Sequence, residues 1–195
     1  MVLKKDRHNE DLFLEKAIRG DREGLEYLVN AYQNLAYTIA IRIVANREDA
    51  EEVVQDSFIK AFASLGNFRK ASRFSTWLYR IVYNTALTRI GNKPTATADL
   101  DDHSENGKYI SIENPPWNLI RHEERKKYVD LALGRLPHED RVIITLHYIG
   151  ELSISEICEI LNAKKSAIKM RLLRGRKQLE VELKVLLKDE VKDLL

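Results

Sequence analysis

Apolar residues recur every three or four positions through most of the chain, which is the spacing of helices with one buried face. In the first half this spacing predicts helices from Asp11 to Arg19, after a cap at Asp21, from Asp49 to Leu65, and from Phe74 to about Ile90. No run alternates apolar and polar residues as a half-buried strand does. The predicted fold class is therefore all-α, with two small helical domains.

The composition changes between residues 92 and 116, where proline, asparagine, serine, threonine and aspartate replace the helical periodicity. We predict a flexible acidic linker there, between an N-terminal helical bundle at 1–91 and a C-terminal domain at 117–195. In the C-terminal domain the pattern predicts helices from Trp117 to Leu136 and from His138 to Ile149. The second of these is expected to turn four side chains inward: Val142, Ile143, Leu146 and Ile149.

A helix-turn-helix is predicted next. Ser153-x-x-Glu156 is a capping sequence ahead of a short helix, Ile154 to Leu161, which ends at Asn162. Asparagine tolerates the left-handed backbone that such a turn requires. A second helix, about Ser166 to Leu179, has apolar or small residues at one face: Ile168, Leu172, Gly175 and Leu179.

The exposed positions of that second helix are strongly basic. No acid occurs between Lys164 and Gln178, where the cations are Lys164, Lys165, Lys169, Arg171, Arg174, Arg176 and Lys177. A helix of this shape and charge fits the major groove of duplex DNA. An ordinary solvated helix usually carries acids among its bases, so the pattern favours DNA binding.

Charge in the first half is divided between two neighbouring segments. The helix that starts at Asp49 has Glu52 and Asp56 opposite its buried positions, which leaves an acidic face. From Ser57 to Ala98 there is no acid, and bases alternate with aromatic residues, Trp77 among them. Cations bind phosphates and aromatic planes accept unpaired bases. A core tryptophan flanked by solvated arginines would give the same pattern, so residue types alone leave both interpretations open.

Composition excludes several classes of function. The 195 residues carry a net charge of +2, no apolar run of membrane length and no signal-peptide core, so we expect a cytoplasmic protein without membrane insertion. The single cysteine, Cys158, allows no internal disulfide and is interpreted as a packing residue. The five histidines lack metal-ligand spacing, and no nucleophile–base pair is evident. We expect neither an enzyme nor a bound cofactor or metal.

Three sequences resemble a known family. AEEVVQDSFIKAF and FRKASRFSTWLYRIVYNTA resemble region 2 of bacterial RNA polymerase sigma factors, in particular the extracytoplasmic-function (ECF) type, and the segment beginning LPHEDRVIITLHYIG resembles region 4. The resemblance implies a non-catalytic transcription initiation factor that binds core RNA polymerase and directs it to specific promoters. The alternative is a conventional helix-turn-helix regulator whose N-terminal bundle serves as a sensor or dimerisation module.

The resemblance also implies partners and site residues. The partners are core RNA polymerase, promoter DNA as duplex and as melted strand, and an anti-sigma factor. Region 2 would bind the opened strand through Arg69, Arg73, Ser75, Thr76, Trp77, Arg80, Asn84 and Arg89. Region 4 would bind the upstream duplex through Lys164, Lys165, Ser166, Lys169, Met170, Arg171, Arg174 and Arg176. The polymerase would contact Asp49, Glu52, Gln55 and Asp56. Met170 stands where the family often has a small or polar residue, so the upstream sequence recognised is expected to differ.

Overall fold

The computed structural model describes residues 7–91 and 127–193, and the predicted linker and its two boundaries lie outside these ranges. The described residues are almost entirely helical and include no strand, which confirms the all-α fold class. They form two compact units, residues 7–91 with 155–162 and residues 127–154 with 163–193. No helix in the described ranges is both long enough and apolar enough to cross a membrane.

The first unit is built on a long central helix. Its elements are α1 (Arg7–Ile18), α2 (Arg22–Val44), α3 (Arg47–Ala63), a 3-10 turn (Leu65–Asn67) and α4 (Phe74–Gly91). Helix α2 packs against α1, α3 and α4, and α3 also packs against α4. The core includes large apolar side chains from several of these helices: Leu28, Ile39, Val53, Leu78 and Val82.

The structure confirms the predicted N-terminal cap of α2 but not the predicted start of α3. Asp21 caps α2 as predicted, because its side chain accepts hydrogen bonds from the backbone of Glu23 at 2.8 Å and of Gly24 at 3.4 Å. The predicted start of α3 at Asp49 is wrong. Asn46 is the cap, and its side chain accepts a hydrogen bond from the Asp49 backbone at 3.0 Å. Asp49 therefore lies inside the first turn of α3.

The apolar spacing of α3 predicts a buried stripe of Val54, Phe58, Ala61, Phe62 and Leu65, of which Phe58, Ala61 and Leu65 are buried and the other two are half-buried. Val53 is 1% exposed, whereas Val54 is only half-buried. Ser57 is fully buried, and its hydroxyl donates a hydrogen bond to the Val53 carbonyl at 2.6 Å. This internal bond removes most of the cost of burying a hydroxyl, so a polar residue occupies a core position that apolar periodicity does not reveal.

Gly24 permits the close crossing of α1 and α2. A Cβ atom there would lie 2.4 Å from the Ala17 backbone nitrogen and 2.7 Å from the Phe13 carbonyl oxygen. Gly24→Ala should therefore destabilise the unit by about 1–3 kcal/mol, because overpacking against backbone outweighs the higher helix propensity of alanine. Denaturant unfolding followed by circular dichroism measures the loss.

Gly66 provides the matched control, since a Cβ there would meet nothing within 4 Å. Gly66→Ala should change stability little. If the Gly24 variant were as stable as the Gly66 variant, the close contact would not constrain the α1–α2 crossing.

The second unit contains α5 (helical over the described residues 127–134), α6 (His138–Ile144), a π-helical turn (Thr145–Ile149) and α8 (Lys165–Asp193). Helix α7 (Ile154–Leu161) precedes α8 and has the predicted bounds. Helices α6 and α8 pack against each other. Their shared core contains Val142, Ile143, Leu146, Ile168 and Leu172.

The prediction that Ile149 turns inward is wrong, because it is 44% exposed. After Ile144 the backbone forms a wider π-helical turn, in which the Gly150 N–H donates to the Thr145 carbonyl at 3.0 Å. Each residue of such a turn advances by less than the 100° of an α-helix. Extrapolating the α-helical period through this turn therefore places Ile149 on the wrong face.

Candidate nucleic-acid interface

The loop at residues 68–73 and the start of α4 present the predicted basic residues to solvent. Arg69, Arg73, Arg80 and Asn84 are exposed, and Ser75 and Trp77 are half-buried. Three of these residues, Arg69, Trp77 and Arg80, line one concave surface, and its remaining lining residues, which include one acid, are Asn67, Phe68, Ala71, Ser72 and Glu159. The loop thus brings cations and a partly accessible indole together.

Thr76 and Arg89 are placed differently from the rest of the predicted set. Thr76 is 2% exposed, so its side chain belongs to the core of the unit. Arg89 is bound by two acids of α3, Asp49 and Glu52. Helical phase does not explain the burial of Thr76, because this residue lies one turn before the exposed Arg80 on the same side of α4; the packing of the unit covers it.

Trp77 belongs to an aromatic cluster that joins the loop to the core. Its ring centroid lies 5.1 Å from that of Phe68 and 5.7 Å from that of Phe74. Phe74 in turn lies 5.3 Å from Tyr32 of α2. These distances are typical of favourable aromatic pairs. The tryptophan is anchored in a cluster, yet part of it remains accessible, so both interpretations left open by the sequence stay compatible with its position.

Lys70 is a loop residue outside the predicted set of site residues. Its backbone is left-handed, with φ of 53°, and its ammonium lies 3.2 Å from Glu15 of α1. Both side chains are about half exposed, so the ion pair contributes little to stability. No local sequence signal predicts a lysine in this conformation, which other parts of the unit impose on the loop.

Helix α8 displays most of its predicted DNA-binding residues. Ile168 is 1% exposed and Leu172 8% exposed, and Asn162, before the helix, has the predicted left-handed backbone with φ of 49°. The exposed members of the predicted set are Lys164, Lys165, Ser166, Lys169, Met170, Arg174 and Arg176. The helix therefore carries one apolar face and one strongly basic face.

Two arginines of α8 are paired with acids of α6. Arg174 donates to both carboxylate oxygens of Asp140, at 2.8 and 2.7 Å, and Arg171 pairs with Glu139. The Asp140 side chain is completely buried, whereas that of Arg174 is 61% exposed. This pair raises the pKa of Arg174, chiefly through the hydrogen bond to Asp140. Gly175 lets the helices approach at this point, since a Cβ there would lie 3.2 Å from Ile144.

The charges within α8 do not reveal the acids that pair with it, because those acids lie on another helix. Glu139 and Asp140 occupy the first turn of α6, directly after Pro137. Acids in a first turn are common for a local reason, since they interact favourably with the helix dipole. Only the packing of α6 on α8 shows that these two carboxylates also have arginine partners.

The acidic face of α3 includes an apolar residue. Glu52, Gln55 and Asp56 are exposed as predicted, and Ile59 beside them is 60% exposed. Asp49 lies one turn before Glu52 on the same side of α3, but it is only 8% exposed, so little of it is available on this face. Ile59 falls outside the apolar stripe of α3, and that departure was the available signal for an exposed contact residue.

Within the described ranges, no group of three histidine, cysteine, aspartate or glutamate side chains is placed to hold a metal ion. Cys158 is half-buried in α7.

Comparison with known proteins identifies both halves of the chain. Residues 28–93 match the family described as Sigma-70 region 2, and residues 126–179 match the family described as Sigma-70, region 4. The ECF RNA polymerase sigma-E factor of Haemophilus influenzae is 34% identical over 180 residues, which cover 89% of this chain and 95% of that protein. The ECF RNA polymerase sigma factor SigW of Bacillus subtilis is 31% identical over 177 residues, covering 88% and 95% respectively.

Solved structures share the fold. CnrH, in complex with the cytosolic domain of CnrY, superimposes with a TM-score of 0.64 at 22% identity, covering 89% of this chain and 96% of CnrH. The sigma factor RpoE of Bartonella quintana, in complex with the anti-sigma factor NepR, gives 0.63 at 21% identity, covering 82% and 96%. The two matched regions and the relatives that span nearly the whole chain show that this protein belongs to the extracytoplasmic-function RNA polymerase sigma factors, which are transcription initiation factors.

Proposed function

We propose that the first unit captures the opened promoter strand with the loop at 68–73 and the start of α4. The observation that carries this is the half-buried Trp77, held by Phe68 and Phe74 beside the exposed Arg69 and Arg80. Arginines would hold phosphates while the indole stacks on a base released from the duplex. A regulator that binds only duplex DNA has no use for such a surface.

The basic face of α8 is proposed to bind the upstream promoter element as duplex. Lys165, Ser166, Lys169 and Met170 lie in its first two turns, the part of a recognition helix that reaches base edges. Met170 is 66% exposed, and an apolar side chain at this place suits contact with thymine methyl groups. Lysines and arginines further along would hold phosphates.

The polymerase is proposed to dock on the acidic face of α3 formed by Glu52, Gln55 and Asp56. An exposed isoleucine among acids suits a partner that offers both cations and a small apolar surface, so Ile59 is added to this set. The protein itself is proposed to be non-catalytic, without a cofactor, and to act in the cytoplasm. The sigma factor RpoE of Bartonella quintana, solved in complex with the anti-sigma factor NepR, supports an anti-sigma partner here as well.

The experiment that tests this function mixes the full chain with core RNA polymerase. We expect the two to co-purify and to give run-off transcripts from promoters that core enzyme alone does not use. Binding to duplex DNA without affinity for core enzyme would instead indicate a conventional helix-turn-helix regulator.

Asp56→Lys should weaken binding to core polymerase at least tenfold, because it places a cation on the acidic docking face. Fluorescence anisotropy with labelled protein measures the affinity. Asp11→Lys is the control, since Asp11 is an exposed acid on α1, away from this face. Equal affinities for the two variants would place the docking surface elsewhere.

A further inference from the structure

Arg89 connects the predicted DNA-binding surface of α4 with the predicted polymerase-binding surface of α3. From the last turn of α4, its Nε and Nη2 atoms donate to one oxygen of Asp49, at 3.0 and 2.8 Å. The same Nη2 atom lies 2.5 Å from Glu52. Asp49 was predicted to contact the polymerase and Arg89 to contact DNA, yet the two side chains bind each other.

Burial indicates which of these groups remains available to a partner. The Asp49 side chain is 11% exposed and the Arg89 side chain 38%, whereas Glu52 is 55% exposed. A large partner docking on α3 would therefore meet Glu52 but hardly reach Asp49. The Nε–Nη2 edge of Arg89, which would bind a phosphate through two hydrogen bonds, is already occupied by a carboxylate.

The positions in the helices favour this pair. Asp49 lies in the first turn of α3, where the helix dipole stabilises a negative charge, and Arg89 lies in the last turn of α4, where it stabilises a positive one. The hydrogen bond to Asp49 raises the pKa of Arg89. A second link lies further along the same helices, where Lys60 donates to Thr85 at 3.3 Å.

We propose that Asp49 and Arg89 are positioning residues that form a clamp between α3 and α4. The clamp fixes the DNA-facing side of α4, with Trp77 and Arg80, relative to the polymerase-facing side of α3, with Glu52 and Asp56. Polymerase docking then places the strand-capturing surface in one defined orientation. This role rests on the proposed function, because it assigns the two surfaces that the clamp connects.

The variant Arg89→Lys separates the clamp from a phosphate contact. With a clamp, the lysine variant should lose open-complex formation, whereas with a phosphate contact it should keep it. Lysine keeps the charge but lacks the planar fork that bonds Asp49 through two nitrogens. We expect Arg89→Lys and Arg89→Gln to reduce open-complex formation on duplex promoters to a similar extent, by several-fold. Neither should change the slope of log affinity against log salt concentration for promoter binding by the holoenzyme. A slope reduced by about 1, together with normal activity of Arg89→Lys, would show a direct phosphate contact and overturn the clamp.

A double-mutant cycle tests the pairing itself. Asp49→Asn, Arg89→Gln and the double variant are compared for thermal unfolding of the isolated chain and for open-complex formation. The clamp requires the double variant to be no worse than the worse single variant, whereas independent contacts would give additive losses. Glu48→Gln is the control, since Glu48 is an exposed acid in the same turn. The unfolding measurement needs no polymerase, so it remains decisive even if the chain failed to bind core enzyme.

Discussion

Arg174→Ala will lower the free energy of unfolding of the second unit more than Asp140→Asn does. Asp140 is completely buried, so removing Arg174 leaves a carboxylate without its charge partner inside the unit. An uncompensated buried charge of this kind is destabilising. Asp140→Asn is milder because the amide oxygen still accepts a hydrogen bond from the arginine, which is itself largely solvated. Denaturant unfolding of each variant, followed by circular dichroism, gives the comparison.

Two further variants isolate the cause. The double variant Asp140→Asn with Arg174→Ala should be more stable than Arg174→Ala alone, because no buried charge then remains. Arg176→Ala is the matched control, since Arg176 is an exposed arginine of the same helix. If Arg174→Ala were as stable as Arg176→Ala, the ion pair would have no structural role, and Arg174 would be available to DNA alone.

The same pair determines what Arg174 can do at the promoter. Two of its nitrogens are bonded to Asp140, while more than half of the side chain remains exposed. We therefore expect Arg174 to act from a fixed orientation, as a residue that both seats α8 on α6 and holds a phosphate. Loss of DNA affinity in Arg174→Ala should be uniform across promoter sequences, as a phosphate contact requires.

Trp77→Ala is expected to reduce open-complex formation on duplex promoters by about 5- to 150-fold. Stacking of one base on an aromatic side chain contributes about 1–3 kcal/mol, which corresponds to that range. Affinity for core polymerase should not change, because the tryptophan lies on α4 and the acidic docking face on α3. Permanganate footprinting of opened thymines on duplex and pre-melted templates measures the effect.

Two variants distinguish stacking on a base from support of the loop. Trp77→Phe keeps an aromatic plane and the contacts with Phe68 and Phe74, so it should retain most of the opening activity. Phe68→Ala removes a neighbour of the indole but leaves the indole in place. It should therefore keep opening activity if the indole stacks on a base, and lose it if the aromatic cluster only supports the loop. An equal defect of Trp77→Ala on duplex and pre-melted templates would count against a role in opening.

The sequence alone predicted most of the helices in the described ranges and several of their limits, while the first part of the helix predicted from Trp117 lies outside those ranges. Asp21 capped its helix as predicted, α7 had the predicted bounds, and Asn162 adopted the predicted left-handed turn. Each of these depends on interactions within a few residues, which a local pattern contains. Ile149 was misplaced because a π-helical turn changed the period, and nothing in the residue types marks that change.

Tertiary structure decided which charges are available to partners. The sequence pattern does not distinguish four charged residues that are each bonded to a residue more than 30 positions away: Asp49, Arg89, Asp140 and Arg174. Thr76 and Ser57 are polar residues in the core for the same kind of reason. Helical periodicity records which face a residue occupies on its own helix, whereas burial and ion pairing depend on the helix that lies opposite. That neighbour is set by the packing of the whole unit, so the division of these residues between stability and recognition emerges only in the folded chain.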